Sequence, residues 1–241
     1  MSEDLRGLLR ARFAWTDPGD GSGYVVSNRS GWWRDPRILA GLGEALGDLF
    51  RDAEPTVVVS PEVTGFLVGP LVARAIGAGF VEAYRAGARR PIAEPMTWTT
   101  VPSDHRGDQQ QLGVRHGLVR PADRVLVVDD WAATGAQARA LRSLFPGSPG
   151  TGLSSSPDGP LLRGPVEGPL LRGPDEGPLF RGPDKGPLFR GPDEGPFLPG
   201  TDEGPLLPGT YVGTAVIVDE CPPEVSAELG IRGLLTGQDL T

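Results

Sequence analysis

Cysteine is almost missing from this 241-residue chain, where Cys221 stands alone. A single thiol makes neither an internal disulfide nor a cysteine metal cluster, so a disulfide-stapled fold is excluded and a reducing compartment is expected. Lysine is confined to Lys185 and histidine to His105 and His116. The formal net charge is −8 with a pI of about 4.9, which disfavours a general nucleic-acid binder, whose footprint is a basic face, and leaves a local basic site for phosphates allowed. No apolar run reaches the roughly 18 residues of a membrane helix. The charged start, MSEDLRGLLRARFAW, lacks the apolar stretch of a signal peptide. The expectation is a soluble, cytoplasmic protein with no membrane or nucleic-acid partner. At 38 % hydrophobic residues, the chain can bury a core of one or two domains.

Glycine and proline are present in excess, 36 and 26 residues, and much of that excess lies in one place. From Pro157 to Gly209 the sequence repeats every nine residues: PVEGPLLRG, PDEGPLFRG, PDKGPLFRG, PDEGPFLPG, TDEGPLLPG. Proline at this density removes backbone donors, and glycine raises the entropy of ordering. Two apolar residues per repeat do not offset that in a packed core. Residues 147–209 therefore read as a disordered Gly/Pro-rich insertion without chemistry of its own. A nonapeptide β-helix is the alternative.

With the repeat set aside, 1–146 and 210–241 read as one α/β domain, its first 34 residues forming an N-terminal hood. PTVVVS (Pro55–Ser60), GFVEAY (Gly79–Tyr84), RVLVVDD (Arg124–Asp130) and YVGTAVIVDE (Tyr211–Glu220) are strand-like. Helical patterns alternate with them. Asp35 can cap and Pro36 can open a helix whose Ile38, Leu42, Ala45, Leu46 and Leu49 share one face. GFLVGPLVARAIG is nearly all apolar and is expected to become regular from Pro70, and AQARALRSLF follows the third strand. Such alternation predicts a mostly parallel, doubly wound sheet. Between Gly87 and Leu112 no period persists, so that stretch, with Pro95–Gln111 at its centre, reads as a long functional loop.

The stretch RVLVVDDWAATGAQ asks what two carboxylates at the end of a buried strand are for. In an open parallel sheet, ligands bind beyond the carboxyl ends of strands. The AATGA turn leads into a helix, so backbone N–H groups and the positive helix end converge there on an anion. Two acids beside an anion cradle suit a phosphate joined to a polyol, as in ribose 5-phosphate. These residues resemble the ribosyl-phosphate signature of type I phosphoribosyltransferases: four hydrophobics, two acids, small residues, then Thr-Gly. SPEVTGFLVGPLVARAIGAGFVEAYRAG resembles the pyrophosphate-loop region of the adenine phosphoribosyltransferase branch. WWRDPRIL resembles that branch's approach to its first helix, and YVGTAVIVDE its late strand. The resemblance covers most of residues 10–145 and 210–235.

The resemblance implies the fold of that family and transfer of ribose 5-phosphate from phosphoribosyl pyrophosphate (PRPP) to a purine-like base, adenine favoured. Asp129 and Asp130 would bind the ribose hydroxyls, and Ala133, Thr134, Gly135, Ala136 and Gln137 the 5′-phosphate. Glu62, Val63, Thr64 and Gly65, with Arg85, Arg89 and Arg90, would hold the pyrophosphate. Asp104, His105 and Asp108 would handle protons in a loop that closes over the reaction. Mg²⁺ would be the cofactor, carried by PRPP with no direct protein ligand, and the chain would form a homodimer. Two positions depart from the family pattern. Thr64 stands where the branch carries Arg before Gly-Phe, and Gln137 where Thr or Ser is common. The sequence thus leaves open a non-catalytic PRPP-binding regulator of the same fold, and a third reading in which the repeat is an interaction tether. A receiver domain lacks the residues it needs after Asp130, and no P-loop is present. Trp32, Trp33, Phe13 and Trp15 offer faces for a nucleobase or simply pack together, His116 reads as structural, and Cys221 as buried and inert.

Overall fold

Five residues in a row, Val57–Pro61, are buried on both sides as strand β3, the mark of a central strand in a parallel sheet. The computed structural model describes residues 3–19, 25–87, 92, 94–102, 110–146 and 206–240. All belong to the larger of the chain's two compact units, Met1–Thr151 with Asp202–Thr241. In chain order the elements begin with α1 (Glu3–Arg12), β1 (Ala14–Thr16), β2 (Val26–Asn28), α2 (Ser30–Arg34) and α3 (Pro36–Asp48). After β3 come α4 (Gly65–Ile76), β4 (Gly79–Arg85), β5 (Met96–Val101), β6 (Gln110–Arg115) and β7 (Arg124–Ala132). The chain closes with α5 (Ala136–Ser143), β8 (Thr210–Asp219), α6 (Pro223–Leu229) and β9 (Ile231–Thr236). A seven-stranded sheet runs β5-β6-β4-β3-β7-β8-β9. Its β4, β3, β7, β8 and β9 pair in parallel and β5 and β6 antiparallel.

Alternation along the central strands divides the core into two layers. Val58, Leu126 and Val128 pack with Leu42, Leu46, Val68 and Val72 of α3 and α4. Val57, Val59, Val125 and Val127 face the other way, onto Ala140, Leu141 and Leu144 at α5. The mostly parallel, doubly wound sheet expected from the sequence is what forms. Asp35 caps α3 by accepting from the Arg37 N–H at 3.1 Å, with Pro36 in the first turn. The guanidiniums of Arg37 and Arg12 sit beside its carboxyl at 2.7 and 3.1 Å and hold it well below the usual carboxylate range.

Four expectations need correction. The stretch Pro95–Gln111 is not loop throughout: Met96–Val101 pairs antiparallel with Gln110–Arg115. The Thr-rich β5 satisfies its backbone on β6, a long-range pairing that local composition does not reveal. Strand β9 was not anticipated either; it borrows its register from β8. Helix α4 begins at Gly65 rather than Pro70, so Pro70 lies inside it. Proline removes one helical hydrogen bond there, and burial of Val68 and Val72 against the sheet outweighs that loss. Finally, β7 runs two residues past the aspartate pair, because Trp131 and Ala132 continue to pair with Val218 and Asp219. Arg89 and Arg90 lie outside the described residues, as do Asp104, His105 and Asp108 and the repeat as far as residue 205. Among the described residues no helix is long and apolar enough to cross a membrane.

Helices α3 and α4 cross at Gly43, where an added Cβ would lie 2.3 Å from the backbone oxygen of Leu71. At Gly41 the nearest atom would be 3.4 Å away, on the Leu5 side chain. Gly43→Ala is therefore expected to destabilise the chain by about 1–3 kcal/mol. Gly41→Ala is expected to stabilise it by about 0.5–1 kcal/mol. Urea unfolding of the two variants checks both; equal effects would contradict this packing.

Candidate active site

The strand order reverses between β3 and β7. From β3 the chain winds through α4 to β4 on one side, and from β7 through α5 to β8 on the other. Pairing of β3 with β7 stops at Val59–Val127, while β7 continues along β8. Beyond Val127 one edge of β7 thus opens into a crevice at the carboxyl ends of the strands, where a doubly wound sheet binds ligands.

That crevice holds a cavity of about 300 Å³. Asp129, Ala133, Thr134, Gly135, Ala136 and Gln137 all line it, and Arg85 enters from the end of β4. Gly135 takes φ +72° at the start of α5, and a Cβ there would lie 2.9 Å from both Leu229 and Val225. Glycine is thus the residue this turn requires. Thr134 Oγ1 accepts from the Ala136 N–H at 3.3 Å, shaping the turn through a local side-chain contact.

The two aspartates part company. Asp129 lines the cavity, whereas the Asp130 carboxylate accepts a hydrogen bond from the Arg29 guanidinium on the hood side. The period-two geometry of a strand dictates this, since neighbours point to opposite faces. Asp129 Oδ1 also accepts from the Asp130 N–H at 2.8 Å. Burial, reinforced by the charge of Asp130, pushes the Asp129 carboxyl well above the ordinary carboxylate range. Burial raises Asp130 too, with Arg29 opposing it.

The pyrophosphate-turn candidates divide similarly. Arg85 Nε donates to the Glu62 carbonyl at 2.8 Å, its NH1 donates to Gln110 Oε1 at 3.0 Å, and its backbone N–H donates to Glu62 Oε2 at 3.0 Å. Glu62 therefore anchors Arg85. The peptide Glu62–Val63 is cis; Val63 is exposed and Gly65 buried. Thr64 borders a second groove, about 420 Å³, with Asn28, Arg29 and Trp33. Of the aromatic candidates, Trp32 is fully buried and donates from Nε1 to the Leu9 carbonyl at 2.8 Å, so it is packing. Phe13 and Trp15 pack on Trp131 with ring centroids 5.9 and 6.3 Å away. His116 Nδ1 sits 3.3 Å from Thr97 Oγ1. Cys221 is half-buried rather than buried. Its thiol, 3.5 Å from the Ala132 carbonyl, is pushed up to about 11 by burial and by Asp219.

Sequence reasoning missed three residues of this region. Trp131 lines the cavity and stood in plain view beside the aspartates. Gln110 orients Arg85 from a stretch read as loop. Arg29, 101 residues from Asp130, carried no local signal at all.

Known proteins resemble this chain in sequence and in fold. No protein-family model matches the chain. The adenine phosphoribosyltransferase of Synechococcus sp. (strain RCC307) is 30 % identical over 144 residues, 60 % of this chain and 78 % of that protein. The chain belongs to the adenine phosphoribosyltransferase family. The Klebsiella pneumoniae subsp. pneumoniae enzyme of the same name is 38 % identical over 111 residues, 46 % of this chain and 58 % of its own length. Among solved structures, adenine phosphoribosyltransferase from Rhodothermus marinus superposes with a TM-score of 0.59 at 17 % identity, covering 98 % of this chain and 99 % of that one. That likeness extends the agreement to the fold.

A buried carboxylate raised in the fold sets a sign for stability. Folded Asp129 keeps a proton that the unfolded chain has released, so stability falls as pH rises from the ordinary value near 3.8 through the elevated folded value. Asparagine retains the acceptor for the Asp130 N–H and removes the charge. Asp129→Asn is therefore expected to stabilise the chain at neutral pH by about 0.5–2 kcal/mol and to flatten that pH dependence. A lower melting temperature than wild type at pH 7 would contradict this.

Proposed function

We infer that this chain transfers the phosphoribosyl group of PRPP to adenine and releases pyrophosphate. The observation that carries the reading is that Asp129, the 133–137 turn and Arg85 all line one cavity at the β3/β7 crevice, in a member of this family. The turn would hold the 5′-phosphate through backbone N–H groups and the start of α5. Asp129 from the cavity side and Asp130 from the hood side would accept hydrogen bonds from the ribose hydroxyls. Arg85, held by Glu62 and Gln110, would meet the pyrophosphate and supply the positive charge that Thr64 does not.

The reaction exchanges one bond at C1 of the ribose. The bond to the pyrophosphate oxygen breaks and takes its electron pair, while a nitrogen of the base forms the new bond and then loses its proton. The chain's own contribution is to hold both reactants in line and to stabilise the charge that builds on the leaving oxygen. Asp104, His105 and Asp108 stay the candidates for that proton. The hydroxyl, carboxylate and backbone lining suits a Mg²⁺ held by pyrophosphate oxygens and water. Among the described residues no three His, Cys, Asp or Glu side chains come together as a cage. When bound, the ion would neutralise charge on the departing pyrophosphate. Trp33 in the groove beside Thr64 offers an aromatic face to a purine. A homodimer and a cytoplasmic location belong to the same reading.

Arg85 in the cavity favours an enzyme over a non-catalytic PRPP-binding protein. With PRPP, Mg²⁺ and adenine, the expected products are AMP and pyrophosphate, with adenine used ahead of guanine and hypoxanthine. PRPP binding without turnover on any base would overturn the enzymatic reading. Losing a charge-assisted contact worth about 1.5–3 kcal/mol, Arg85→Gln is expected to raise KM for PRPP about 10- to 100-fold. An unchanged KM would remove Arg85 from the site.

A further inference from the structure

Asp130 is buried in a central strand next to another buried carboxylate, and among the described residues Asp129 and Arg29 are the charged groups that act on it most. Asp129 lies beside it on β7, and Arg29 reaches it from the segment just before α2. The residues of α4 that pack on this part of β7, Gly65, Val68 and Val72, carry no charge. Arg29 NH1 donates directly to Asp130 Oδ2. The same guanidinium lies over the Trp131 ring, 5.8 Å from its centroid, and Phe13 and Trp15 of the N-terminal segment back that ring. The backbone around Arg29 is fixed as well. Its carbonyl accepts from the Trp32 N–H at 2.9 Å, and the Ser30 N–H donates to Asn28 Oδ1 at 3.1 Å. Arg29 also borders the groove that contains Thr64.

We infer that Arg29 is a positioning residue of the ribose site, holding the Asp130 carboxylate ionised and oriented to accept a sugar hydroxyl. This rests on the proposed reading that the crevice binds PRPP. The chemistry is direct. A carboxylate removed from water beside a second carboxylate takes up a proton unless a cation answers it, and a protonated Asp130 would offer a donor where the hydroxyl needs an acceptor. Arg29 opposes protonation at both positions, since its charge also acts on Asp129. A planar fork suits this task, because it can bond a carboxylate and stack on an indole at once. The ribose site therefore forms only when the N-terminal segment is docked, and part of its electrostatics comes from outside the signature motif.

The test is the affinity for PRPP with Mg²⁺, measured by isothermal titration from about pH 5 to 9. It uses the full chain and the variants Arg29→Gln, Arg29→Lys, Asp130→Asn and Arg29→Gln/Asp130→Asn. Wild-type affinity should fall on the acid side as Asp130 takes up a proton. Arg29→Gln should move that fall to higher pH and weaken binding at pH 6 about tenfold or more. Arg29→Lys, which keeps the charge, should restore most of the wild-type profile, and it keeps the test decisive if the Gln variant folds poorly. Relative to Asp130→Asn alone, the added Gln substitution should move the profile much less than it does in the wild-type background, leaving only the smaller effect through Asp129. If Arg29→Gln and Arg29→Lys both lose affinity equally at every pH, Arg29 is structural only and the inference is wrong. If the wild type binds no PRPP at any pH, the reading of the crevice fails, and the inference fails with it.

Discussion

Two adjacent carboxylates sit inside β7, both nearly inaccessible, in the middle of a sheet whose other buried central positions are mostly aliphatic and carry no charge. A strand built for stability alone would not carry them, because removing charge from water is unfavourable unless a partner answers it. Much of the surrounding architecture can be understood from that one constraint. The pair lies where β3 has stopped pairing with β7, so one edge of the strand opens to a cavity. The Asp129 oxygen is occupied by a backbone N–H, and Asp130 is answered by Arg29. Chemistry beyond the fold is the reason for tolerating the arrangement, in keeping with perturbed acids collecting at functional sites.

The site is assembled from distant pieces of chain. The 133–137 turn follows the aspartates directly, but Arg85 comes from β4, Gln110 from β6 and Arg29 from the N-terminal segment. Several contacts fasten that segment to the rest. Arg10 pairs with Asp239 at 2.6 Å, Trp15 Nε1 donates to the Leu240 carbonyl at 3.1 Å, and Trp32 fills the core beneath α3. Exposed ion pairs of this kind contribute little individually, so the buried aromatics carry most of the docking. The first and last described segments thus meet, and Trp15 there packs on Trp131, which lines the cavity.

What could be read from the sequence follows the range of the physics. The parallel central strands announced themselves as short apolar runs, and α3 by a capping aspartate, a following proline and one apolar face. The 133–137 turn was legible because sequence neighbours build it: Thr134 shapes it and Gly135 alone fits its backbone. The β5–β6 pairing was not legible, since the Thr-rich β5 and the glutamine-led β6 gain their order from each other. The separation of Asp129 from Asp130 follows from strand alternation and could have been foreseen. The partnership of Arg29 with Asp130 could not, because a separation of 101 residues leaves no trace of it in any local pattern. Glu62 was read as part of the pyrophosphate turn, and its hydrogen bonds with Arg85 tie that turn to the cation at the end of β4.

The claim on which the whole account turns is that the β3/β7 crevice is built for a sugar phosphate. A crystal structure of the chain grown with ribose 5-phosphate addresses it directly. The account requires the phosphate within hydrogen-bond distance of the backbone N–H groups of residues 133–137, with ribose hydroxyls on Asp129 and Asp130. A phosphate bound elsewhere, or a crevice left empty at saturating ligand, would contradict it.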